Sequence, residues 1–249
     1  MNIKNIINGI FYPRKSNKKD NNDYFVQVDD DVNVNIRFYL NSNKSDNIIF
    51  FHGNAEIADD YENFAKYYNE LDINLIVCEY RGYGLSTGTP TKDNLQKDSL
   101  EIFKFIENHL SKKKHTGKII IMGRSLGSCS AANIIFNYQD KIDGCIIESG
   151  FATEYSLLQL MQINPNDINF KLSDGFENLK KFKAYKKPLL IIHADLDDIV
   201  PMSQADLIMM ECPSNDKDLY IVNGANHNNI LMYANENYFI KIKSFISSL

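Results

Sequence analysis

Short apolar runs alternate with helical patterns along most of the chain. Two alternating segments, residues 24–28 and 32–40, flank an Asp-Asp-Asp turn and predict a hairpin at a sheet edge. Six apolar runs predict buried strands at residues 47–51, 75–78, 119–122, 144–148, 188–193 and 219–222. Apolar positions at helical spacing separate several of these runs. The pattern predicts an α/β fold with a mostly parallel central sheet of about eight strands, flanked by helices.

Two segments depart from this alternation. Residues 1–23 end in a polar run and are predicted to form a loose N-terminal arm. Residues 151–187 are longer than an ordinary connection and contain an apolar stretch at 155–161, which predicts a small cap. Neither segment is long enough for a separate unit, so residues 1–249 are predicted to form a single domain.

Composition excludes several classes of protein. A net charge of −5 over 249 residues gives no support for nucleic acid as a partner. No apolar run approaches the ~20 residues of a membrane span, and the N-terminus lacks a secretory signal pattern. Of the four cysteines, three lie in segments predicted to be buried, which favours free thiols in a reducing compartment. We therefore expect a soluble, cytoplasmic protein.

The stretch with the strongest chemical signal is Gly123-Arg124-Ser125-Leu126-Gly127. It lies between a predicted buried strand and a helix rich in small residues. Glycines on both sides of a serine allow the sharp strand-to-helix turn that exposes a nucleophilic hydroxyl at a helix N-terminus. Ser125 is therefore predicted to be a nucleophile.

A serine nucleophile needs a histidine base. The chain offers five candidates: His52, His109, His115, His193 and His227. His109 and His115 lie at the end of a lysine-rich helix, and His193 ends a strand where it is expected to hold the following loop. His227 lies in the loop between the last strand and the last helix. That position lets it reach the serine, and we predict it to be the base.

The acid should follow the penultimate strand. Three aspartates do so: Asp195, Asp197 and Asp198. Asp197 is favoured because the turn points back toward the site at that position. Asp195 is the alternative, and Asp174 in the cap segment is a more distant one.

An oxyanion requires two backbone N–H donors. Leu126, which follows the nucleophile, and Asn54, in the loop after residues 47–51, are predicted to supply them, with Ala55 as an alternative. The predicted substrate contacts are Ala55, Tyr83, Tyr155, Leu158 and Val200. No phosphate-binding loop or metal-ligand cluster is evident in the sequence, so we expect neither a metal nor a cofactor.

Four sequence blocks resemble the α/β-hydrolase superfamily from about residue 47 onward. They are Phe51-His-Gly-Asn-Ala55, Tyr80-Arg-Gly-Tyr-Gly-Leu-Ser-Thr-Gly88, Gly123-Arg-Ser-Leu-Gly127 and Gly224-Ala-Asn-His227. With Glu211-Cys-Pro213, their order is similar to the depalmitoylase-like branch called alpha/beta-hydrolase-domain seventeen. This resemblance implies a Ser125–Asp197–His227 triad that hydrolyses acyl esters or thioesters through an acyl-enzyme.

One departure from that branch concerns the membrane. The branch carries a lipidated N-terminal cysteine cluster, whereas residues 1–77 contain no cysteine. We therefore expect no stable membrane anchor, and a small-molecule or lipid-acyl substrate of the carboxylesterase, lysophospholipase or acyl-protein thioesterase type. Two alternatives remain open: an amide hydrolase of the serine aminopeptidase kind, and a non-catalytic binding module. The sequence predicts no oligomeric state.

Overall fold

The computed structural model describes residues 2–249, and within them eight strands form one sheet. The strands are β1 (Asp23–Asp29), β2 (Val32–Tyr39), β3 (Asp46–Phe51), β4 (Ile73–Cys78), β5 (Ile119–Arg124), β6 (Gly144–Glu148), β7 (Leu189–Ala194) and β8 (Lys217–Val222). Their spatial order is β1-β2-β4-β3-β5-β6-β7-β8. Strands β3 to β8 pair in parallel, while β2 is antiparallel to both β1 and β4. The predicted fold class is confirmed.

Helices cover both faces of this sheet. They are α1 (Ile3–Asn8), α2 (Glu62–Glu70), α3 (Lys92–Lys112), α4 (Gly127–Tyr138), α5 (Tyr155–Leu160), α6 (Asn178–Phe182), α7 (Ser203–Glu211), α8 (Ile230–Ala234) and α9 (Glu236–Ser248). Successive strand residues enter different cores: Ile49 packs with α3 and α4, whereas Ile48 packs with α2 and α9. Across residues 2–249, no helix combines the length and apolarity needed to cross a bilayer.

Two glycines set the distance between α4 and the sheet. A side chain at Gly123 would meet the backbone of Gly127, and one at Gly127 would collide with the carbonyl group of Phe51 in β3. The helix can approach the strands this closely only because both positions lack a side chain. The N-terminus of α4 is thereby fixed at the carboxyl end of β5.

The carboxyl ends of the parallel strands meet at one edge of the sheet. Residues 52–56 follow β3, Ser125 follows β5, residues 195–201 follow β7 and residues 223–229 follow β8. Ligands of open α/β sheets bind at this edge. The polar motifs found in the sequence therefore surround a common region.

The predicted loose arm is a packed element over residues 3–11. Helix α1 and the residues after it bury four apolar side chains in the main core: Ile6, Ile7, Ile10 and Phe11. Their spacing places them on one face of the segment, and the ring of Phe11 meets that of Phe176 edge-on at 6.5 Å between centroids. The prediction of a loose arm is wrong for these residues, because burial of the apolar face holds them against the core although a polar run follows. Met1, the first residue of that prediction, lies outside the described residues.

Residues 151–187, predicted as a cap, contain the short helices α5 and α6 and a 3-10 turn at Leu172–Asp174. Phe151, Leu158, Phe176 and Phe182 of this segment are buried in the main core. The segment is thus held to the rest of the chain by an apolar interface at the carboxyl edge of the sheet.

Candidate active site

Ser125 occupies the sharp turn between β5 and α4. Its backbone φ is +49°, in the left-handed region that a residue with a side chain rarely adopts. The Ser125 N–H donates to the carbonyl oxygen of Glu148 in the neighbouring strand at 2.9 Å, which holds this conformation. The turn directs the hydroxyl away from the sheet, toward the loop that follows β8.

Three side chains from distant parts of the chain form one hydrogen-bonded series. His227 Nε2 lies 2.9 Å from Ser125 Oγ, and His227 Nδ1 lies 2.8 Å and 3.0 Å from the two carboxylate oxygens of Asp197. Because a carboxylate only accepts, we assign the imidazole proton to Nδ1. His227 Nε2 is then the acceptor that faces the serine hydroxyl. The structure brings together the nucleophile, acid and base predicted from chain order.

Asp197 is held as a carboxylate. Burial by itself raises its pKa, but the hydrogen bond and charge of His227, with the Val200 N–H, outweigh it, and the pKa lies below its usual range. The N–H groups of Ile199 and Val200 donate to Asp197 Oδ1 at 3.0 Å and 2.7 Å. The loop after β7 therefore fixes both the charge and the orientation of this carboxylate.

The two alternative acids and the alternative base His193 occupy other places. Asp195 Oδ1 accepts the Gly224 N–H at 2.7 Å and joins the two loops at the surface. Asp174 accepts the N–H of Lys171 at 2.8 Å within the cap. His193 is fully buried, and its Nε2 lies 2.8 Å from the carbonyl oxygen of Val200. Each of the three stabilises a loop, and within residues 2–249 none of them hydrogen-bonds to Ser125 or His227.

The two predicted oxyanion donors, Leu126 and Asn54, line the same cavity as Ser125. Within residues 2–249, neither the Leu126 N–H nor the Asn54 N–H donates to another protein group, and both residues line the adjoining cavity. Ala55, the alternative donor, gives its N–H to the Asn54 side chain at 3.1 Å. Leu126 and Asn54 are therefore the residues whose N–H groups remain available to stabilise a negatively charged oxygen.

Arg124 connects the nucleophile turn to its surroundings, a role that the sequence did not reveal. Its guanidinium donates to the carbonyl oxygen of His227 at 2.8 Å and to Glu148 at 3.0 Å, and it pairs with Glu56. Burial opposes its charge, but the two carboxylates raise the pKa above its ordinary value. One cation thus holds both the loop of residues 223–229 and the loop of residues 52–56.

A second histidine–carboxylate pair lies beneath the loop of residues 52–56. His52 Nε2 lies 2.9 Å from Glu79 Oε2, and His52 Nδ1 lies 2.8 Å from the carbonyl oxygen of Gly53. The other oxygen of Glu79 accepts the Ala58 N–H at 2.7 Å, and Tyr80 donates its hydroxyl to the His52 carbonyl at 2.5 Å. All of these groups are buried, so this pair holds the loop that presents Asn54.

A cavity of about 340 Å³ opens above the Ser125 hydroxyl. Its apolar lining comes from the N-terminal region, the cap and the loop after β7: Ile10, Phe151, Leu157, Leu160, Met161 and Ile199. Ser125, His227, Leu126 and Asn54 lie on its polar side. The arrangement places a hydroxyl that is hydrogen-bonded to a histidine beside an apolar cavity.

The five predicted substrate contacts do not line this cavity. Leu157 and Leu160 of α5, with Met161 directly after it, share the face that turns to the cavity. Leu158 lies on another face of the helix and is fully buried in the core. Tyr155 is exposed and packs on Phe170 at 5.9 Å between ring centroids, outside the chamber. Val200 is buried, and its backbone serves Asp197.

The other two predicted contacts lie behind the cavity wall. Tyr83 is fully buried and donates its hydroxyl to Asn54 Oδ1 at 2.6 Å. Ala55 directs its N–H to the same side-chain oxygen and is not among the lining residues. Both contact the Asn54 side chain, and neither lines the cavity.

The sheet order, the turn that presents Ser125 and the position of that turn at the carboxyl edge are those of the α/β-hydrolase fold. A family model described as "Serine aminopeptidase, S33" matches residues 42–165. Solved structures with this fold include an esterase of Pyrococcus furiosus, with a TM-score of 0.78 at 16% identity over 96% of this chain and 99% of that one. A monoacylglycerol lipase of Paleococcus ferrophilus has a TM-score of 0.68 at 16% identity over 86% and 98%. The chain has the α/β-hydrolase fold, and it is similar to this family in sequence as well.

Curated relatives include the branch that the sequence blocks suggested. Protein bem46 of Schizosaccharomyces pombe is 27% identical over 80% of this chain and 67% of its own length. Alpha/beta hydrolase domain-containing protein aho-3 of Caenorhabditis elegans is 27% identical over 80% and 57%, and human alpha/beta hydrolase domain-containing protein 17B is 25% identical over 80% and 66%. The chain thus spans between 57% and 67% of the lengths of these three proteins.

Proposed function

We propose that the protein is a serine hydrolase that cleaves acyl esters or thioesters through an acyl-enzyme. The observation that supports this most directly is the 2.9 Å contact between Ser125 Oγ and His227 Nε2, with Asp197 on the other ring nitrogen. The apolar cavity beside the hydroxyl favours a small-molecule or lipid-acyl substrate.

In the first half-reaction His227 Nε2 accepts the Ser125 proton as Oγ attacks the acyl carbonyl carbon. Negative charge develops on the carbonyl oxygen, and the N–H groups of Leu126 and Asn54 stabilise it. The tetrahedral intermediate then collapses, the bond to the alcohol or thiol breaks, and His227 returns its proton to the leaving group. The acyl group remains on Ser125.

The second half-reaction repeats these steps with water. His227 removes a proton from the water molecule, whose oxygen attacks the acyl carbon. The ester bond to Ser125 Oγ breaks, the serine recovers its proton from His227, and a carboxylic acid leaves. Asp197 stabilises the imidazolium formed in each half-reaction because its charge lies directly on Nδ1.

The cavity lining supports an ester or thioester over a peptide N-terminus. An aminopeptidase needs a carboxylate to bind the substrate ammonium group, and the nearby carboxylates of Glu56 and Glu154 do not line the cavity. Glu56 is paired with Arg124, and Glu154 is buried and accepts the Phe176 N–H at 2.6 Å. The amide-hydrolase alternative therefore has less support in the site than ester cleavage.

A fluorophosphonate probe tests the proposal, since such probes react with activated serines. The wild-type protein should be labelled and should hydrolyse p-nitrophenyl esters, whereas Ser125→Ala should do neither while retaining its circular dichroism spectrum. A folded wild type that is neither labelled nor active would overturn the proposal and favour a binding module.

We also propose a reducing compartment, such as the cytoplasm, as the place where the protein works. All four cysteines are free and buried. Burial raises the pKa of the Cys78 and Cys145 thiols well above the ordinary value, which lowers their reactivity. Fractionation of the producing cells, with detection of the native chain, tests this assignment.

A further inference from the structure

The N-terminal segment, defined as residues 2–12, is bonded directly to a residue of the oxyanion site. The Asn54 side chain donates to the carbonyl oxygen of Ile10 at 2.6 Å and accepts the N–H of Tyr12 at 3.0 Å. Tyr83 donates its hydroxyl to the same Asn54 oxygen at 2.6 Å and also lies 3.0 Å from the Tyr12 N–H. The segment thus bonds both the nitrogen and the oxygen of the Asn54 side-chain amide, while within residues 2–249 the Asn54 backbone N–H donates to no protein group.

The same segment forms one wall of the cavity. Ile10 and Tyr12 line it from one side, and Leu157, Leu160 and Met161 of the cap line it as well. The Ile10 side chain is 8% exposed, so it is a packed wall and not a mobile flap.

Two anchors fix the wall in place. Ile6 and Ile7 of α1 are buried in the main core. The side chain of Asn8 accepts the N–H of Lys92, at the start of α3, at 2.9 Å. The segment lies outside residues 42–165, the part of the chain that the family model matches. This wall is therefore additional to the matched part of the fold.

We propose that the N-terminal segment determines acyl-chain specificity by limiting the length of chain that the cavity encloses. This inference rests on the proposed hydrolase function. With one non-hydrogen atom occupying roughly the 30 Å³ share of a water molecule, a cavity of about 340 Å³ holds about eleven such atoms. The preferred substrates are esters or thioesters of straight-chain acids of about eight to ten carbons, and further carbons extend into solvent.

The chain-length dependence of kcat/KM measures this limit. Each methylene buried in an apolar cavity contributes about 0.8 kcal/mol, which corresponds to about fourfold in kcat/KM. For p-nitrophenyl esters from two to sixteen carbons, the wild type should gain up to about fourfold per methylene until eight to ten carbons and then level off.

Substitutions at Ile10 should move that limit. Ile10→Ala removes three carbons from the wall and should extend the rising part of the profile by about two to three carbons. Ile10→Val removes one carbon, disturbs the fold little, and should extend it by about one. Ile10→Phe should shorten it by a similar amount.

Ile7→Ala is the matched control. It makes the same truncation in the same segment, at a buried residue that does not line the cavity, so its profile should match the wild type. An unchanged profile in every Ile10 variant would overturn the proposal, as would an equal shift in Ile7→Ala, because the effect would then come from loosening of α1. Fluorophosphonate labelling of each variant separates these outcomes from failure of the proposed function, in which the wild type itself would be neither labelled nor active.

Discussion

The structure contains two buried histidine–carboxylate pairs, His52–Glu79 and His227–Asp197, and they differ in one contact. His52 lies 2.9 Å from Glu79 and His227 lies 2.8 Å from Asp197, and all four side chains are buried. The other nitrogen of His52 faces the carbonyl oxygen of Gly53, which only accepts. The other nitrogen of His227 faces the Ser125 hydroxyl, which can donate.

This difference separates His52, a structural cation, from His227, the proposed base. The Glu79 carboxylate and the Gly53 carbonyl oxygen both accept hydrogen bonds, so this site favours a proton on each ring nitrogen of His52. Burial opposes that charge, but the hydrogen bond and charge of Glu79 outweigh it and raise the His52 pKa. His227 needs only one proton for Asp197 and keeps a lone pair toward the serine. The partner of the second nitrogen therefore decides what a histidine–carboxylate pair can do.

Removing the base should have the largest effect. His227→Ala should lower kcat for a p-nitrophenyl ester about 10⁵- to 10⁶-fold, since the Ser125 hydroxyl loses its proton acceptor. The melting temperature should change by only a few degrees, because the Ile199 and Val200 N–H groups still bind Asp197. Steady-state kinetics and thermal melts check both; a loss below 100-fold would contradict the assignment of His227.

Neutralising the acid should have the next largest effect on kcat. The experiment also tests whether Asp197 or Asp195 is the acid. Asp197→Asn should lower kcat about 10⁴-fold, because an amide does not stabilise the imidazolium. Asp195→Asn is the matched control and should stay within about threefold of the wild type, since within residues 2–249 the Asp195 side chain accepts the Gly224 N–H and hydrogen-bonds to neither Ser125 nor His227. The opposite ranking in the same assay would make Asp195 the acid.

Removing the structural histidine should affect stability more than catalysis. His52→Leu leaves the Glu79 carboxylate buried without its cation, and breaking such a pair costs about 3–5 kcal/mol. In a chain of this size the melting temperature should fall by about 10 °C. At temperatures where the variant is folded, kcat should remain within about tenfold of the wild type. Unchanged melting with a large loss of kcat would place His52 in the chemistry instead.

The pH dependence of stability should have opposite signs for the two pairs. A raised His52 pKa stabilises the fold fully below the ordinary histidine value of about 6.5, and that contribution is lost as pH rises through the folded pKa. The melting-temperature difference between wild type and Glu79→Gln should therefore shrink above pH 6.5.

Asp197 has a lowered pKa, so its contribution is present above about pH 3.9 and lost as pH falls. The difference between wild type and Asp197→Asn should accordingly shrink in acid. Melts in matched buffers from pH 3 to 9 measure both trends, and parallel trends for the two variants would refute the distinction between the pairs.

The chemistry at the strand ends was predictable because it depends on two local patterns. Apolar runs identified the parallel strands, and parallel strands bring their carboxyl ends to one edge. Any polar residue that follows such a strand, as Ser125, Asp197 and His227 do, must then lie near the others. Chain order was therefore enough to predict where the three meet.

The walls of the cavity were not predictable from the same patterns. The apolar spacing of Ile6, Ile7 and Ile10 is short, and the polar run after it suggested a loose arm. In the cap, Leu157 lines the cavity whereas Leu158 is buried in the core. Consecutive residues differ by about 100° around a helix, so the packing of this six-residue helix decides which leucine faces the cavity. The pairing of His52 with Glu79 depends on β3 lying beside β4 in the sheet. The two residues are 27 positions apart in the sequence, so no local pattern predicts their contact.

The left-handed backbone at position 125 has a consequence for the evolution of this protein. Glycine would adopt the same φ at a saving of roughly 1 kcal/mol in folding free energy. Directed evolution for thermal stability alone would therefore favour Ser125→Gly. The most stable variant would then lack the serine hydroxyl. Only a screen that also demands turnover keeps the hydroxyl in place.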